Sequence, residues 1–262
     1  MGAGVLHAGA AATRFTLHRY PPPEDLALFV DFCWVIRWDL RGQPPHEQQI
    51  LPHPNVNLAF EAGGAAVYGV DRKIFTRRLS GAGKALGVRF RPGGFRPFHS
   101  RPIVSLNDRV IPAARVFGPA ADEACTAVMA ASADDAMIGA AAGLLRGFGA
   151  AEDPVVEQAA GLVKRITEDP GLQRVAQLAE MAGLSERKLQ RLFSDYVGVS
   201  PKWVMRRARL HEAALRADAD GPPSVDWAAL AADLGYADQA HLTRDFTATL
   251  GVPPSRYAAG PG

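Results

Sequence analysis

The sequence predicts an α+β protein in which a β-rich amino-terminal domain precedes an all-α carboxy-terminal domain. Three observations support this fold class. Short aromatic or β-branched stretches, separated by proline and glycine, fill the chain up to about residue 90. Alanine-rich segments with helical periodicity replace them after residue 112. In the last third of the chain, one segment of the sequence occurs twice.

The predicted strands lie in four stretches that are bounded by turn-forming pairs such as Pro-Pro and Gly-Gly. They cover residues 29–38, 55–60, 66–70 and 85–90. Several short strands in a row are typical of a β-sandwich or a small barrel.

Two helices are predicted beyond the strands, over 120–131 and 134–148, and they either cover an open edge of the sheet or form a dimer contact. A turn-rich joint follows at 149–154, and nearly all of the chain beyond it has helical periodicity. The predicted organisation is a flexible leader over 1–12, an effector or dimerisation domain over 13–150 and a helical domain over 155–258.

The repeat becomes visible when the region around Gly183 is aligned with the region around Gly235. Six positions match at a constant offset of 53 residues, and they are Ser185, Leu189, Arg191, Phe193, Gly198 and Pro201 with Asp238, Leu242, Arg244, Phe246, Gly251 and Pro254. Six matches at one offset are hard to attribute to chance. We therefore expect one structural unit in two copies.

Each copy has the parts of a helix-turn-helix unit. A short helix with a small residue, Ala179 or Ala231, leads to a glycine, which enters the left-handed region without steric cost. Ser185 or Asp238 then supplies a side-chain oxygen that caps the second helix. This second helix is the predicted recognition helix of each unit.

The outer face of each recognition helix carries the candidate DNA-binding residues. Leu189 and Phe193 lie at helical spacing on one side of the first helix, which leaves its other side to polar residues. Arginine can pair with guanine and glutamine with adenine in the major groove. The candidates are Ser185, Arg187, Lys188, Gln190 and Arg191, and in the second copy Gln239, His241, Thr243 and Arg244. A lone basic helix would be read as a solvated face, but the repeat favours DNA contact.

A helix predicted over 201–217 joins the two copies. At 1.5 Å per residue it is roughly 25 Å long, so it could hold two recognition helices about one DNA turn (~34 Å) apart. We expect double-stranded DNA as the partner, contacted in two successive major grooves.

Charge is spread unevenly along the 262 residues, although the formal net charge is only +2. Residues 185–209 hold seven Lys and Arg against two acidic residues, whereas 210–262 hold three against seven. Because basic residues attract phosphate, the first unit is expected to supply most of the salt-dependent affinity, and the second mainly discrimination between bases.

The pattern from 155 to 257, with the motifs GYADQAHLTRDF and GVPPSRY, resembles the DNA-binding domain of AraC-type transcriptional regulators. The resemblance implies sequence-specific promoter binding. It assigns DNA contact to Arg187, Gln190 and Arg191, and to Gln239, His241, Thr243 and Arg244. The stretch 218–226 is longer and more acidic than the connection usual in that family.

The stretches FVDFCWVIRWDLRGQPPHEQQILPHPNVNLAFE and GVRFRPGGFRPF resemble a domain that precedes this module in some bacterial regulators. The resemblance implies a cupin-like β-barrel that holds an effector or sets the oligomeric state. Residues 72–101 contain nine Lys and Arg and no acidic residue, so an inward-facing arginine would suit a small anionic effector. The candidate effector-binding residues are Arg89, Arg91, Trp34 and His53. Solvent-exposed arginines, a tryptophan of the barrel core and a turn histidine are the competing interpretations.

Other function classes find little support in the sequence. The longest apolar run, 136–145, is far shorter than the ~20 residues that cross a bilayer, and the amino terminus lacks the features of a secretory signal. We therefore expect a cytoplasmic protein without a membrane partner. The segment 81–84 fails as a phosphate-binding loop because Ala85 follows its lysine. The two cysteines are expected to be reduced core thiols, and no cofactor, metal site or catalytic residue is predicted.

The predicted function is thus a DNA-binding transcriptional regulator that is controlled by a small molecule or by oligomerisation. Two alternatives stay open. In one, the first domain binds no effector and only forms a homodimer. In the other, an enzyme-like barrel carries the DNA-binding domain as an appendage.

Overall fold

The computed structural model describes residues 14–169, 171–220 and 225–258, with the side chains of 218–220 left aside. The leader predicted over 1–12 lies outside the described residues. Of the acidic connection predicted over 218–226, residues 221–224 lie outside them as well.

The amino-terminal half contains eight strands among the described residues. They are β1 (Thr16–Tyr20), β2 (Val30–Leu40), β3 (His46–Ile50), β4 (Asn57–Glu61), β5 (Gly64–Tyr68), β6 (Phe75–Leu79), β7 (Gly81–Phe90) and β8 (Val110–Pro112). Six of them form an antiparallel sheet in the order β1-β2-β7-β4-β5-β8, and β3 pairs with β6 alone. The fold class is as predicted.

The barrel that the resemblance implied is not closed by hydrogen bonds in the described part of the chain. The six-stranded sheet ends at β1 and β8, and the β3–β6 pair is a separate sheet. The two sheets instead enclose a cavity between them, since both contribute to its lining. The half-open arrangement leaves room for a ligand between the two sheets.

The two faces of the large sheet have different roles because side chains alternate along each strand. Along β4, Leu58 and Phe60 are fully buried in the core, whereas Asn57, Ala59 and Glu61 line the cavity. On the core face, α1 (Ala114–Phe117) leads to α2 (Ala120–Ala130) and α3 (Asp134–Phe148), which match the predicted helices. Helices α2 and α3 pack against the central strands and so cover a face of the sheet instead of its edge.

The sequence missed β1, β3, β6 and β8. Strand β3 reads HEQQI and β6 reads FTRRL, so neither has the run of β-branched or aromatic residues that marked the other strands. Their pairing is non-local, joining His46 to Leu79 across a register that no short window of sequence displays. Both cysteines are buried and form no disulfide, as predicted.

The carboxy-terminal half is helical. Its elements are α4 (Pro154–Glu168), α5 (Val175–Met181), α6 (Glu186–Leu192), α7 (Pro201–Asp220), α8 (Trp227–Asp233), α9 (Gln239–Leu250) and α10 (Pro254–Ala258). A single π turn, Phe193–Val197, extends α6. Helix α7 is the predicted linker helix and runs three residues beyond its expected end. No described helix combines the length and apolar character needed to cross a bilayer.

The two halves share their apolar cores. One cluster continues from the sheet through α2 and α3 into the first helix-turn-helix unit, where it includes Leu189 and Phe193. A second cluster holds the core of the second unit, and it includes Leu51 from the amino-terminal half. The bidentate pair of Arg91 with Glu157 also crosses between the halves. The domain boundary at 149–154 stays a prediction, and extensive packing continues across it.

Candidate DNA interface and ligand cavity

The turns of the two helix-turn-helix units have the same backbone geometry. Gly183 and Gly235 occupy the left-handed region at φ of 65° and 71°. The N–H of Leu184 donates to the carbonyl of Ala179, and the N–H of Tyr236 donates to the carbonyl of Ala231, each at 2.9 Å. The predicted role of both glycines is confirmed, and the repeat extends to individual hydrogen bonds.

The caps of the two recognition helices are also equivalent. The Ser185 hydroxyl accepts a hydrogen bond from the N–H of Lys188 at 3.3 Å, and the Asp238 carboxylate accepts one from the N–H of His241 at 2.6 Å. Each cap satisfies a backbone donor that the helix itself leaves unpaired. Ser185 therefore caps α6, and it also lies next to the exposed face of this helix.

The predicted recognition faces point outward. On α6, Arg187, Lys188, Gln190 and Arg191 are all exposed. On α9, Gln239, His241 and Arg244 are exposed and Thr243 is half-buried. The opposite sides of both helices are buried through Leu189 and Phe193, and through Leu242 and Phe246. The structure thus brings the candidate residues of each unit together on one solvent-facing surface.

The contacts of these side chains stay within their own unit. Arg191 lies 3.6 Å from the Asp195 carboxylate and leaves 85% of its side chain exposed. The Arg244 Nε donates to the carbonyl of Ala240 at 3.3 Å. The ring of His241 packs edge-on against that of Tyr236, with their centroids 5.1 Å apart. None of these contacts would keep the polar groups from a DNA base or phosphate.

The basic surface next to the first unit is smaller than the residue count suggested. Arg207 is 6% exposed, so it lies in the interior and cannot reach phosphate. Arg206 pairs with Asp245 at 2.9 Å, and the guanidinium of Arg209 stacks on Tyr236. Both contacts attach the linker helix α7 to the second unit. A second ion pair, Arg216 with Asp233 at 3.1 Å, does the same further along α7.

The cavity between the two sheets is the second candidate site. It has a volume of about 210 Å³ and is lined mainly by apolar and aromatic side chains. The rings of Trp34 and Trp38 lie against Gly87 and Gly83 of β7, respectively. A Cβ atom at either glycine would collide with the ring. The two glycines therefore let the indoles lie flat on the strand and form a wall of the cavity.

Three of the four predicted effector-binding residues, Trp34, His53 and Arg89, line this one cavity. Arg91 does not belong to the lining. It binds Glu157 with two hydrogen bonds of 2.8 and 2.9 Å and also donates to the carbonyl of Ala27. Strand alternation would place Arg89 and Arg91 on the same face, but β7 ends at Phe90 and the chain turns there, so the alternation does not extend to Arg91.

Arg89 is the buried cation of the cavity. Its side chain is 15% exposed, and its guanidinium stacks on Phe32 with the carbon 5.1 Å from the ring centroid. Nη2 donates to the side-chain oxygen of Asn55 at 2.8 Å and contacts His53 Nδ1 at 3.2 Å, whereas Nε donates no hydrogen bond. Asp31, 3.4 Å from Nε, is its ion-pair partner in the described structure.

The electrostatics of this end of the cavity favour an anion. Burial lowers the pKa of Arg89 to about 10, with Asp31 opposing and Arg19 adding to this shift. Burial and the nearby Arg89 lower the pKa of Arg207 to about 9. Both guanidiniums remain protonated at neutral pH. Arg19, Arg77 and Arg89 line the cavity against Glu61 and Asp71, and Arg207 lies next to the lining residue His53, so a ligand's acidic group would offset an excess of positive charge.

Arg207 and Asn55 are the residues of this site that the sequence analysis missed. Helical spacing carried a hint for Arg207, because it lies three residues after the buried Val204 and three before the buried Leu210. Its partner is the loop between β3 and β4, which contributes the Pro52 carbonyl at 2.6 Å. In the described residues, no three histidine, cysteine or acidic side chains come together in a way that could hold a metal ion.

Comparisons with known proteins agree with this arrangement. Residues 178–260 match the family described as a helix-turn-helix domain, and residues 18–112 match a domain of unknown function, DUF6597. Over 87 residues, 33% of this chain, the sequence is 34% identical to the HTH-type transcriptional regulator Rv1931c of Mycobacterium tuberculosis. The matched region spans 32% of that relative's length.

Solved structures of ToxT from Vibrio cholerae are also similar. One form covers 94% of this chain and 98% of ToxT at 12% identity and a TM-score of 0.40. A form bound to an unsaturated fatty acid covers 94% of this chain and 95% of ToxT at 11% identity and a TM-score of 0.36. Similarity at this level says nothing about the ligand of this chain.

The two capped and equivalent units, with the family match over them, define the class of the carboxy-terminal half. It is an AraC-type helix-turn-helix domain, as the sequence predicted. The half that precedes it carries a DUF6597 domain.

Proposed function

We propose that the protein is a transcriptional regulator that binds promoter DNA sequence-specifically, with α6 and α9 in two successive major grooves. The observation that carries this proposal is the equivalence of the two units. Each has the same glycine turn and the same type of cap, and each presents its polar face to solvent. One linker helix of 20 residues joins them. The proposal assigns the protein to the cytoplasm and assigns it no catalytic role.

The residue types on the two faces suit different parts of the recognition. Arg187, Gln190 and Arg191 can form paired hydrogen bonds with guanine and adenine edges, and Lys188 can neutralise a phosphate. On α9, Gln239, His241 and Arg244 offer the same chemistry with fewer charges, beside the half-buried Thr243. A monomer would then protect two patches of DNA on one side of the duplex.

The test is to incubate the full-length protein with fragmented genomic DNA and to sequence and footprint the fragments that it retains. We expect one enriched motif with two protected patches centred about 10 base pairs apart. Arg191→Ala and Gln190→Ala should each weaken binding, whereas Arg115→Ala, at an exposed arginine of α1, should leave it unchanged. Retention without any enriched motif, or equal losses in all three variants, would overturn the proposal.

We further propose that the cavity binds a small effector with an aromatic or apolar body and one acidic group. The apolar lining with Trp34, and the buried Arg89 with an Nε that donates no hydrogen bond, support this class of ligand. A domain that only forms a homodimer would not need either feature.

Thermal unfolding in the presence of benzoate, 2-naphthoate and indole-3-acetate tests the ligand class, with naphthalene-2-carboxamide as the uncharged control. At least one carboxylate should raise the unfolding temperature more than the amide does. Arg89→Met should remove the difference between acid and amide. If no carboxylate stabilises the protein, the homodimerisation alternative is favoured instead.

A further inference from the structure

The loop from Leu51 to Asn55, which we call the bridging segment, lies between the cavity and the helix-turn-helix domain. Four of its five residues line the cavity: Leu51, Pro52, His53 and Asn55. The same segment contacts the linker helix α7 and the second unit. The bridging segment is therefore a part of the first domain that contacts both the cavity and the helix-turn-helix domain.

On the cavity side, the bridging segment is held by β7. The side-chain oxygen of Asn55 accepts a hydrogen bond from Arg89 Nη2 at 2.8 Å, and its amide donates to the carbonyl of Phe90 at 2.7 Å. Asn55 is 4% exposed, so these bonds are sheltered from water. Any movement of the Arg89 guanidinium toward a ligand would change them.

On the helix side, the segment is held by Arg207. Its Nε donates to the carbonyl of Pro52 at 2.6 Å, and its Nη2 contacts His53 Nδ1 at 2.7 Å. The rings of His53 and His211 also meet edge to face, with centroids 6.1 Å apart. Leu51 is fully buried in the core of the second unit, together with Leu210.

Both arginines contact the imidazole of His53. Arg89 Nη2 lies 3.2 Å from Nδ1, and Arg207 Nη2 lies 2.7 Å from Nδ1 and 3.0 Å from Nε2. An acidic group at Arg89 would offer that guanidinium a stronger, charge-assisted acceptor. The hold of Arg89 on Asn55 and His53 would then weaken, and the bridging segment would lose part of its support on the cavity side.

We propose that the bridging segment transmits occupancy of the cavity to the linker helix, with His53 as the shared contact and Arg207 as the positioning residue. The inference rests on the proposed function, because it describes how an effector in that cavity would act on the DNA-binding domain. The second unit is the part that responds, since Leu51 belongs to its core. The first unit is held separately, through Gly198 and Asn107.

A hydrogen-exchange experiment on the full chain without DNA or ligand tests this coupling. The proteins compared are the wild type, Arg89→Met, Arg207→Met and the double variant. Arg89→Met should increase exchange of backbone amides in 204–217 and 227–233 by roughly fivefold, the value expected for weakening one or two sheltered hydrogen bonds. In the Arg207→Met background, adding Arg89→Met should have no further effect.

The matched control is Arg19→Met. Arg19 also stacks on Phe32 and lines the cavity, and within the described part of the chain it makes no hydrogen bond or ion pair with the bridging segment. This variant should leave exchange in 204–217 unchanged. If Arg89→Met does not fold, Arg89→Lys keeps the cation and loses the fork that reaches Asn55 and His53, and the same cycle is run with it.

Two results would overturn the inference. One is unchanged exchange of 204–217 in the folded Arg89 variant. The other is a double-mutant cycle without coupling, in which the fold-increase in exchange of the double variant equals the product of the fold-increases of the two single variants. Because no DNA is present, this outcome is separate from that of the proposed function. If the exchange data show the coupling but the protein enriches no DNA motif, the proposed function is rejected and the proposed coupling stands.

Discussion

The side-chain amide of Asn107 donates a 2.7 Å hydrogen bond to the carbonyl of Gly198, the residue that ends the first recognition helix. A Cβ at Gly198 would lie 2.9 Å from Ile103 Cγ2 and 3.0 Å from Asn107 Oδ1. The first domain thus touches the backbone of the helix-turn-helix domain directly. The close approach depends on a residue without a side chain at this position.

The first prediction compares Gly198→Ala with Gly251→Ala. Both glycines have positive φ, 90° and 77°, so alanine should cost roughly 1–2 kcal/mol at either site. At Gly251 no atom of the described residues, apart from its chain neighbours, lies within 4 Å of the added methyl, but at Gly198 the docked segment must move. Gly198→Ala should therefore lower the free energy of unfolding by about 1–3 kcal/mol more than Gly251→Ala. Urea titrations that give equal losses would show that the docking contact contributes nothing.

The second prediction concerns the salt dependence of DNA binding. Arg191 is 85% exposed on the more basic unit, whereas Arg244 lies on a helix that acidic residues flank. Arg191→Ala should reduce affinity for a retained fragment more than Arg244→Ala, and Lys188→Ala, which removes the proposed phosphate contact, should lower the slope of log affinity against log salt by about one. Binding isotherms at several salt concentrations measure both quantities. A larger loss from Arg244→Ala would contradict the assignment of phosphate contact to the first unit.

The third prediction tests the ion pair between Arg91 and Glu157 as a clamp across the predicted joint at 149–154. Arg91→Ala should increase the rate of elastase cleavage in this alanine-containing joint several-fold, because the bidentate pair that restrains the start of α4 is lost. Arg146→Ala is the matched control. It removes a bidentate pair of similar geometry with Asp25, which lies within the first domain, and should leave cleavage of the joint unchanged.

The fourth prediction is a dependence of stability on pH through His211. Burial, with the nearby Arg207, lowers the pKa of His211 to about 4, while Glu212 opposes and Arg89 adds to this shift. The unfolded chain takes up a proton near pH 6.5 that the folded chain refuses, so stability is lost as pH falls from about 6.5 to 4. After allowance for the partly exposed ring, we expect His211 to account for about 1 kcal/mol of the loss by pH 5.

Denaturant titrations at pH 7.5 and pH 5 measure this contribution. Other groups titrate in the same interval, so the relevant quantity is the difference between the wild type and His211→Asn. The variant should lose less stability between the two pH values. Equal losses would place the pH dependence on other groups.

The repeat made the helical domain predictable from sequence because its determinants are local. The glycine of each turn and the cap that follows it act within a few residues, and the structure realises them as hydrogen bonds between near neighbours. The exposed faces followed from the spacing of buried residues such as Leu189 and Phe193. Periodicity can report all of these features.

The cavity was predictable only in part because long-range contacts decide it. Arg89 and Trp34 alternate with buried neighbours on their strands, which made them candidates, but the second wall of the cavity comes from the polar strands β3 and β6. The burial of Arg207 depends on Pro52, which is 155 residues away along the chain. Helical spacing from Val204 and Leu210 hints that Arg207 faces inward, but it does not identify the Pro52 carbonyl as its partner.

The position of Leu51 bears on how such regulators can be rebuilt. An engineer who grafts a foreign sensor onto these helices by cutting at the joint would discard the leucine that fills the second unit's interior. An unfilled hole of that size usually costs about 2–5 kcal/mol. A working hybrid would have to import residues 51–55 together with the helices, or enlarge Ala213 and Ala214 to plug the gap.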